Sequence, residues 1–212
     1  MSETTPHRLR ILLVGARGTL GKAVVDELGK RHDLIQAGRG TGDLKLNLTD
    51  PAGMVAAMAE MGPVDAVICA AGEVAFAPLA QIRPATLSES VYALGLTNKL
   101  LGQVNLALAA RDVLRDSGSI TLTGGILSDH PIVAGSSASM VNGALEGFVR
   151  AAAVEMPRGI RINLVSPSVL AESMDAYGPF FRGFDPVPAA RVALAFSRSV
   201  EGPQTGQVYR VI

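Results

Sequence analysis

The stretch ILLVGARGTLGKAVVDEL, residues 11–28, sets Gly15, Gly18 and Gly21 between an apolar run and a segment of helical spacing. Glycines at such a junction let the backbone turn tightly and approach a pyrophosphate. Its charge then rests on the free N–H groups and positive end of the helix. The residues expected to bind the cofactor here are Gly15, Arg17, Gly18, Thr19, Leu20 and Gly21. The spacing is G-x-x-G-x-x-G rather than the G-x-G-x-x-G of the common dinucleotide fingerprint, so a turn that only packs strand on helix stays open as the alternative. Discrimination between NAD and NADP falls at the end of the second strand, where an acidic group would bind the ribose 2′-hydroxyl. Here the strand ends QAGRG. Arg39, with Arg17 in reach, favours the 2′-phosphate of NADP through charge-assisted contacts. The contrary reading leaves both arginines as solvated surface groups.

A second group of chemical side chains lies in GGILSDHPIVAGSS, residues 124–137. Ser128, Asp129 and His130 are consecutive, so their side chains diverge and a triad relay is excluded. Ser128 stays a candidate hydroxyl, and His130 a candidate lone acid or base against the reading of a water-exposed loop histidine. Ser136, Ser137 and Ser139 are first helix-entry residues that satisfy free N–H groups, and second donors to a substrate carbonyl. Cys69 is the single cysteine, which excludes an internal disulfide and a thiolate metal cluster, and the three histidines are dispersed.

These residues need a scaffold, and the chain spells one. Short apolar runs alternate with helix-period segments, the pattern of repeated βαβ units. Strands are predicted at 10–14, 34–37, 44–46, 66–70, 119–123, 161–165 and 207–211, and helices at 19–30, 51–61, 84–115, 137–156 and 186–200. The loop from Pro167 to Asp185, with the aromatic YGPFFRGF, is the one long enough to form a lid. The fold class expected is α/β: a Rossmann-type, doubly wound parallel sheet of about seven strands with helices on both faces, in a single domain over 1–212. Hydrophobic residues at 48%, charged residues at 18% and no tryptophan suit an aliphatic core around a buried sheet. A net charge of zero with scattered basic residues argues against nucleic acid and against an acidic membrane surface as partners. The polar start MSETTPHRLR and the lack of a run of about 20 apolar residues point to a cytoplasmic protein.

Beyond the glycine turn, LNLTD (46–50), CAAG (69–72), LLGQVNLALAA (100–110), GSITLTGG (118–125), GIRINLVSPS (159–168) and TGQVY near the end follow one another in a recognisable order. In this order the chain resembles the short-chain dehydrogenase/reductase superfamily over nearly its whole length. The resemblance implies a cofactor at the carboxyl ends of the strands, touched by Asn47, Leu48, Ala70, Ala71, Gly72 and Pro167. It implies a dimer or tetramer formed through the segments 84–115 and 137–156, and a small-molecule substrate. It also implies a catalytic set of Asn, Ser, Tyr and Lys, in which tyrosine moves the proton, lysine lowers its pKa and holds the ribose, and serine polarises the carbonyl. Carried onto this chain, the asparagine falls on Lys99, the serine on Gly125, the tyrosine on Ala138 and the lysine on Asn142. None is retained, and none of Tyr92, Tyr177 and Tyr209 has a lysine four residues later.

Ala138 and Asn142 share a helix face. Lys99, one of four lysines, points in the family's geometry into the same pocket, so the cation has changed helices. Lys99 with Asn142 is then expected to rebuild a ribose or substrate contact from the opposite side; a plain surface lysine is the competing reading. Two functions follow. One is an NADP(H)-dependent oxidoreductase acting on a small carbonyl, alcohol or imine compound through the candidates Lys99, Asn142, Ser128 and His130. The other is a catalytically degenerate NADP(H)-binding sensor or regulatory subunit.

Overall fold

The computed structural model describes residues 7–40 and 42–212; the polar stretch 1–6 and Thr41 lie outside the described residues. Along β1 (Arg10–Val14) and β4 (Val64–Cys69) side chains alternate between two apolar layers. Ile11, Leu13, Ala66 and Ile68 enter one layer, and Leu12, Val14, Val67 and Cys69 the other. Both faces are covered, which is why 11–14 and 66–69 read as unbroken apolar runs. With β2 (Asp33–Gly38), β3 (Leu44–Lys45), β5 (Leu114–Thr123), β6 (Arg161–Pro167) and β7 (Val208–Val211) they form a parallel sheet ordered β3-β2-β1-β4-β5-β6-β7. Helices α1 (Thr19–Leu28) and α6 (Ala189–Glu201) cover the first layer with Val24, Leu28, Val192 and Phe196. Helices α2 (Pro51–Met61), α3 (Gly102–Val113) and α4 (Ser136–Glu155) cover the second with Met54, Met58, Leu106, Leu145 and Val149. The strand order reverses between β1 and β4, and the crevice at their carboxyl ends is where such sheets hold ligands.

Two expectations are corrected. The continuous helix over 84–115 is absent. A single turn stands at Leu87–Glu89, and helix begins only at 93, passing through a wide π-helical segment at Gly95–Leu101 directly into α3. Pro84 lacks an N–H, and Ser90 accepts the N–H of Tyr92 on its side chain, so the backbone there has alternatives to a helix. β5 begins at Leu114 rather than 119, because Ser117 takes a φ of 62° and the pairing with β4 jumps from Val64–Leu114 to Ala66–Ser119. The expected lid from Pro167 to Asp185 is partly structured. It carries short turns, the four-residue α5 (Met174–Tyr177) and a bridge between Leu170 and Val187. Its Tyr177 and Phe180 rings lie 6.0 and 6.3 Å from Phe76. Among the described residues no helix is long and apolar enough to cross a membrane, and no His, Cys, Asp or Glu group is placed to hold a metal.

Candidate functional site

The glycine turn is built by close approach. Gly15 has a φ of 87°, and a Cβ there would lie 2.8 Å from the Ala70 carbonyl oxygen and 2.8 Å from Ala71 Cβ. A Cβ on Gly21 would strike the Gly15 carbonyl, so both positions exclude a side chain. Gly18 precedes α1, whose start has no side-chain cap and no acidic residue in its first turn. Its first N–H groups, those of Thr19 and Leu20 included, have no helical partner and face the turn. Thr19 is exposed, while the Leu20 side chain is buried in the α1–α6 layer. An uncapped helix start behind a turn that backbone contacts keep free of side chains fits a pyrophosphate.

A cleft of about 330 Å³ opens from this turn across the ends of β1, β2 and β4. Gly15, Arg17 and Gly18 form one wall, Arg39 a second, and Asn47 and Leu48 a third; Ala71, Gly72, Glu73 and Asn98 close it. Ala70 lies behind the wall against Gly15, and Pro167 ends β6 paired with Val211, so neither lines the cleft. Arg39 is exposed and donates to Glu73 Oε1 at 2.8 Å, spanning the mouth. Asn98 Oδ1 in turn accepts the Glu73 N–H at 2.8 Å and fixes the CAAGE segment. Glu73 and Asn98 were not legible as site residues; their nearest signal was adjacency to the CAAG motif and to Lys99.

In the next strand along from β4, the carboxyl end of β5 is clamped by Gln103 of α3. Its amide donates to the Thr123 carbonyl at 2.9 Å and accepts the Thr123 N–H at 2.8 Å. Gly124 then donates its N–H to Val165, leaving its carbonyl to accept from Lys99 Nζ at 2.9 Å. Lys99 also donates to Asn142 Oδ1 at 2.9 Å. The structure thus brings together the two residues that stand at the asparagine and lysine places of the resemblance. Gly72 makes room for this arrangement, since a Cβ there would lie 2.6 Å from Lys99 Cγ. Burial outweighs the other influences on Lys99 and lowers its pKa to about 8; the Cys69 thiol, the titratable group acting on it, is itself pushed up to about 12 by burial and stays neutral.

The other candidates stand apart from this pair. Ser128 donates to Glu146 Oε1 at 2.7 Å, and Glu146, 4% exposed, also receives Arg150 and Arg210. That hydroxyl ties the loop to α4. His130 is exposed beside Ser168, Phe184 and Ile212 in a separate shallow hollow. Ser136 pairs with the Tyr92 hydroxyl at 3.2 Å, and no side chain caps the start of α4, so the expected capping role of these serines is not taken. Ala138, 2% exposed, is packed among Ile126, Leu127, Val169 and Phe181.

A family model described as enoyl-(acyl carrier protein) reductase matches residues 19–201. Comparison with curated proteins gives no match. Among solved structures, the protein lin1944 from Listeria innocua is 49% identical with a TM-score of 0.92, over 96% of this chain and 100% of that one. A small-chain dehydrogenase crystallised with NADPH shares the fold at 22% identity and a TM-score of 0.81, over 97% of each chain. A short-chain dehydrogenase/reductase of the glucose/ribitol type from Brucella melitensis does so at 18% and 0.80, over 95% of this chain and 94% of that one. With the family match spanning most of its length and the sheet, the glycine turn and the crevice arranged as described, the chain belongs to the short-chain dehydrogenase/reductase superfamily.

Proposed function

We propose that the protein is an NADP(H)-dependent oxidoreductase acting on a small carbonyl, alcohol or imine compound with a non-standard active site. One observation carries the reading: the side-chain-free turn and uncapped start of α1 open into the same cleft as Arg17 and Arg39. The pyrophosphate would rest on the N–H groups after Gly15, and the adenine between Arg39, Asn47 and Leu48. Arg39 would exchange Glu73 for the 2′-phosphate, with Arg17 on the other side. The bound dinucleotide supplies the hydride at its nicotinamide; the protein has to orient it and deliver a proton. The fold-level likeness to a dehydrogenase crystallised with NADPH supports this choice of cofactor. On α4, Met140 and Val154 are exposed and nothing lies over Gly143 and Gly147, a flat strip that suits the expected dimer or tetramer.

The second reading, a non-catalytic NADP(H)-binding sensor or regulatory subunit, is favoured by Ala138 and Gly125 at the tyrosine and serine places. Calorimetric titration with NADPH, NADP⁺ and NADH on wild type and Arg39→Ala tests both. The expected result is binding of NADPH that weakens at least about tenfold in the variant, while NADH is little affected, as loss of a charge-assisted phosphate contact requires. Binding strongly biased to one redox form, without turnover, favours the sensor. Absence of binding by all three removes both readings.

A further inference from the structure

Asn142 is 2% exposed, yet only one end of its amide is used by the protein. Its Oδ1 accepts from the Lys99 ammonium, which fixes the orientation of the group, because an ammonium has no lone pair to receive the NH₂ end. Nδ2 then points at Gly125, 2.9 Å from where a Cβ would stand, and donates to no group among the described residues. The amide therefore fills the space in which a side chain at 125 would begin. Lys99 Nζ has three protons, of which the Gly124 carbonyl and Asn142 take two. Two unspent donors therefore lie at the end of β5. One turn earlier on α4, Ala138 lies in an apolar cluster with Ile126, Leu127, Val169, Phe181 and the partly buried Phe76.

We propose that Asn142 Nδ2 and Lys99 Nζ together receive the oxygen of a neutral carbonyl compound with apolar substituents, and that Lys99 supplies the proton completing its reduction. The inference rests on the NADP(H) reading above. The carbonyl carbon gains a C–H bond from the hydride of the reduced dinucleotide, which is oxidised. The C=O π pair passes to oxygen, and that oxygen takes a proton from Lys99 Nζ, whose neutral amine is reprotonated by water. An oxygen gaining negative charge beside an ammonium and an amide N–H is stabilised by both. A cationic iminium would instead meet the ammonium without a free carboxylate. Glu73 is paired with Arg39, and Glu146 with Arg150 and Arg210. The substrate is thus a ketone or aldehyde rather than an imine. Around Lys99, β4 contributes the neutral Cys69, and α4 the non-titrating Asn142. The segment after β4 contributes Glu73 with its Arg39, and the loop after Gly125 holds Asp129, bound to Arg210, and the exposed His130. With its pKa at about 8, Lys99 is an ammonium below that pH, so reduction falls as pH rises through about 8.

The test pairs NADPH titration with single-turnover reduction of neutral aryl and alkyl ketones, with a cyclic imine as control, for wild type, Lys99→Met, Lys99→Arg and Asn142→Ala. Circular dichroism checks that each is folded. Expected is NADPH binding within about threefold of wild type in all variants, with ketone reduction about 10²-fold or more slower in Lys99→Met, the scale of a lost general acid. Lys99→Arg should move the fall in rate to higher pH, and Asn142→Ala should slow reduction without moving it. NADPH binding weakened more than about tenfold in Lys99→Met, with an unchanged rate at saturation, would make Lys99 a cofactor ligand and overturn the proposal. So would a wild type that binds NADPH yet reduces only the imine, or nothing. A wild type that binds no dinucleotide removes the cofactor reading itself.

Discussion

Replacing Gly125 by alanine adds one methyl group where the Asn142 amide already lies. The backbone there is extended, with φ 161° and ψ 154°, so alanine meets no conformational strain and the whole effect comes from contact. The new Cβ would stand 2.9 Å from Asn142 Nδ2 and 3.6 Å from its Cγ. Asn142 is 2% exposed and cannot swing into solvent; its amide must retreat and lose the ammonium that holds Oδ1. A hydrogen bond to a charged group contributes about 1.5–3 kcal/mol. Lys99 keeps the Gly124 carbonyl and has access to water, so the net destabilisation is about 1–3 kcal/mol. For a chain of this size that lowers Tm by about 2–10 °C, read by thermal melts. The decisive measurement is the double-mutant cycle. In an Asn142→Ala background the obstacle is gone, and Gly125→Ala should cost less than about 0.5 kcal/mol, a coupling of about 1 kcal/mol or more. Equal costs in the two backgrounds would refute the claim that the amide occupies the place of a residue-125 side chain.

Gly21→Ala should be severe, because its Cβ would strike the Gly15 carbonyl and stand 2.8 Å from Ala16 Cα, backbone atoms that cannot yield without moving α1 off the turn. A loss of about 3 kcal/mol or more, together with loss of dinucleotide binding, is expected from urea melts and titration. Arg210 donates to both Asp129 and Glu146, and its hydrogen bonds hold the Asp129 carboxyl below the usual carboxylate range. A depressed carboxylate pKa adds stability above the unfolded value, near 3.8, that is lost as pH falls through the folded one. Arg210→Ala should therefore differ from wild type most at pH 7 and much less at pH 3 in urea unfolding; an equal difference at both would exclude this linkage.

Much of the scaffold was legible because it rests on short-range signals. The apolar runs at 11–14 and 66–70 have no polar alternation, as strands covered on both faces require, and Gly15 and Gly21 mark backbone contacts that no other residue permits. The segment 84–92 does not form the helix its composition suggests, since Pro84 and the Ser90 side chain offer the backbone other conformations, whereas 93–113 is helical as expected. Ser128 and His130 drew attention by residue type alone. Which serine is free and which histidine faces solvent depends on partners far along the chain, such as Glu146 for Ser128.

From the order of its residues alone, this chain determined an α/β sheet, a glycine turn between the first strand and helix, and the absence of any Tyr-x-x-x-Lys, because each is written in local spacing. Only the tertiary structure decided that Lys99 of the turn before α3 meets Asn142 of α4 beside Gly125, and that Arg39 rests on Glu73 across the cleft. Those pairs join residues 43 and 34 positions apart. They exist because the parallel strands bring the carboxyl ends of β2, β4 and β5 to one edge, where burial lowers the lysine pKa and a missing side chain leaves room for an amide.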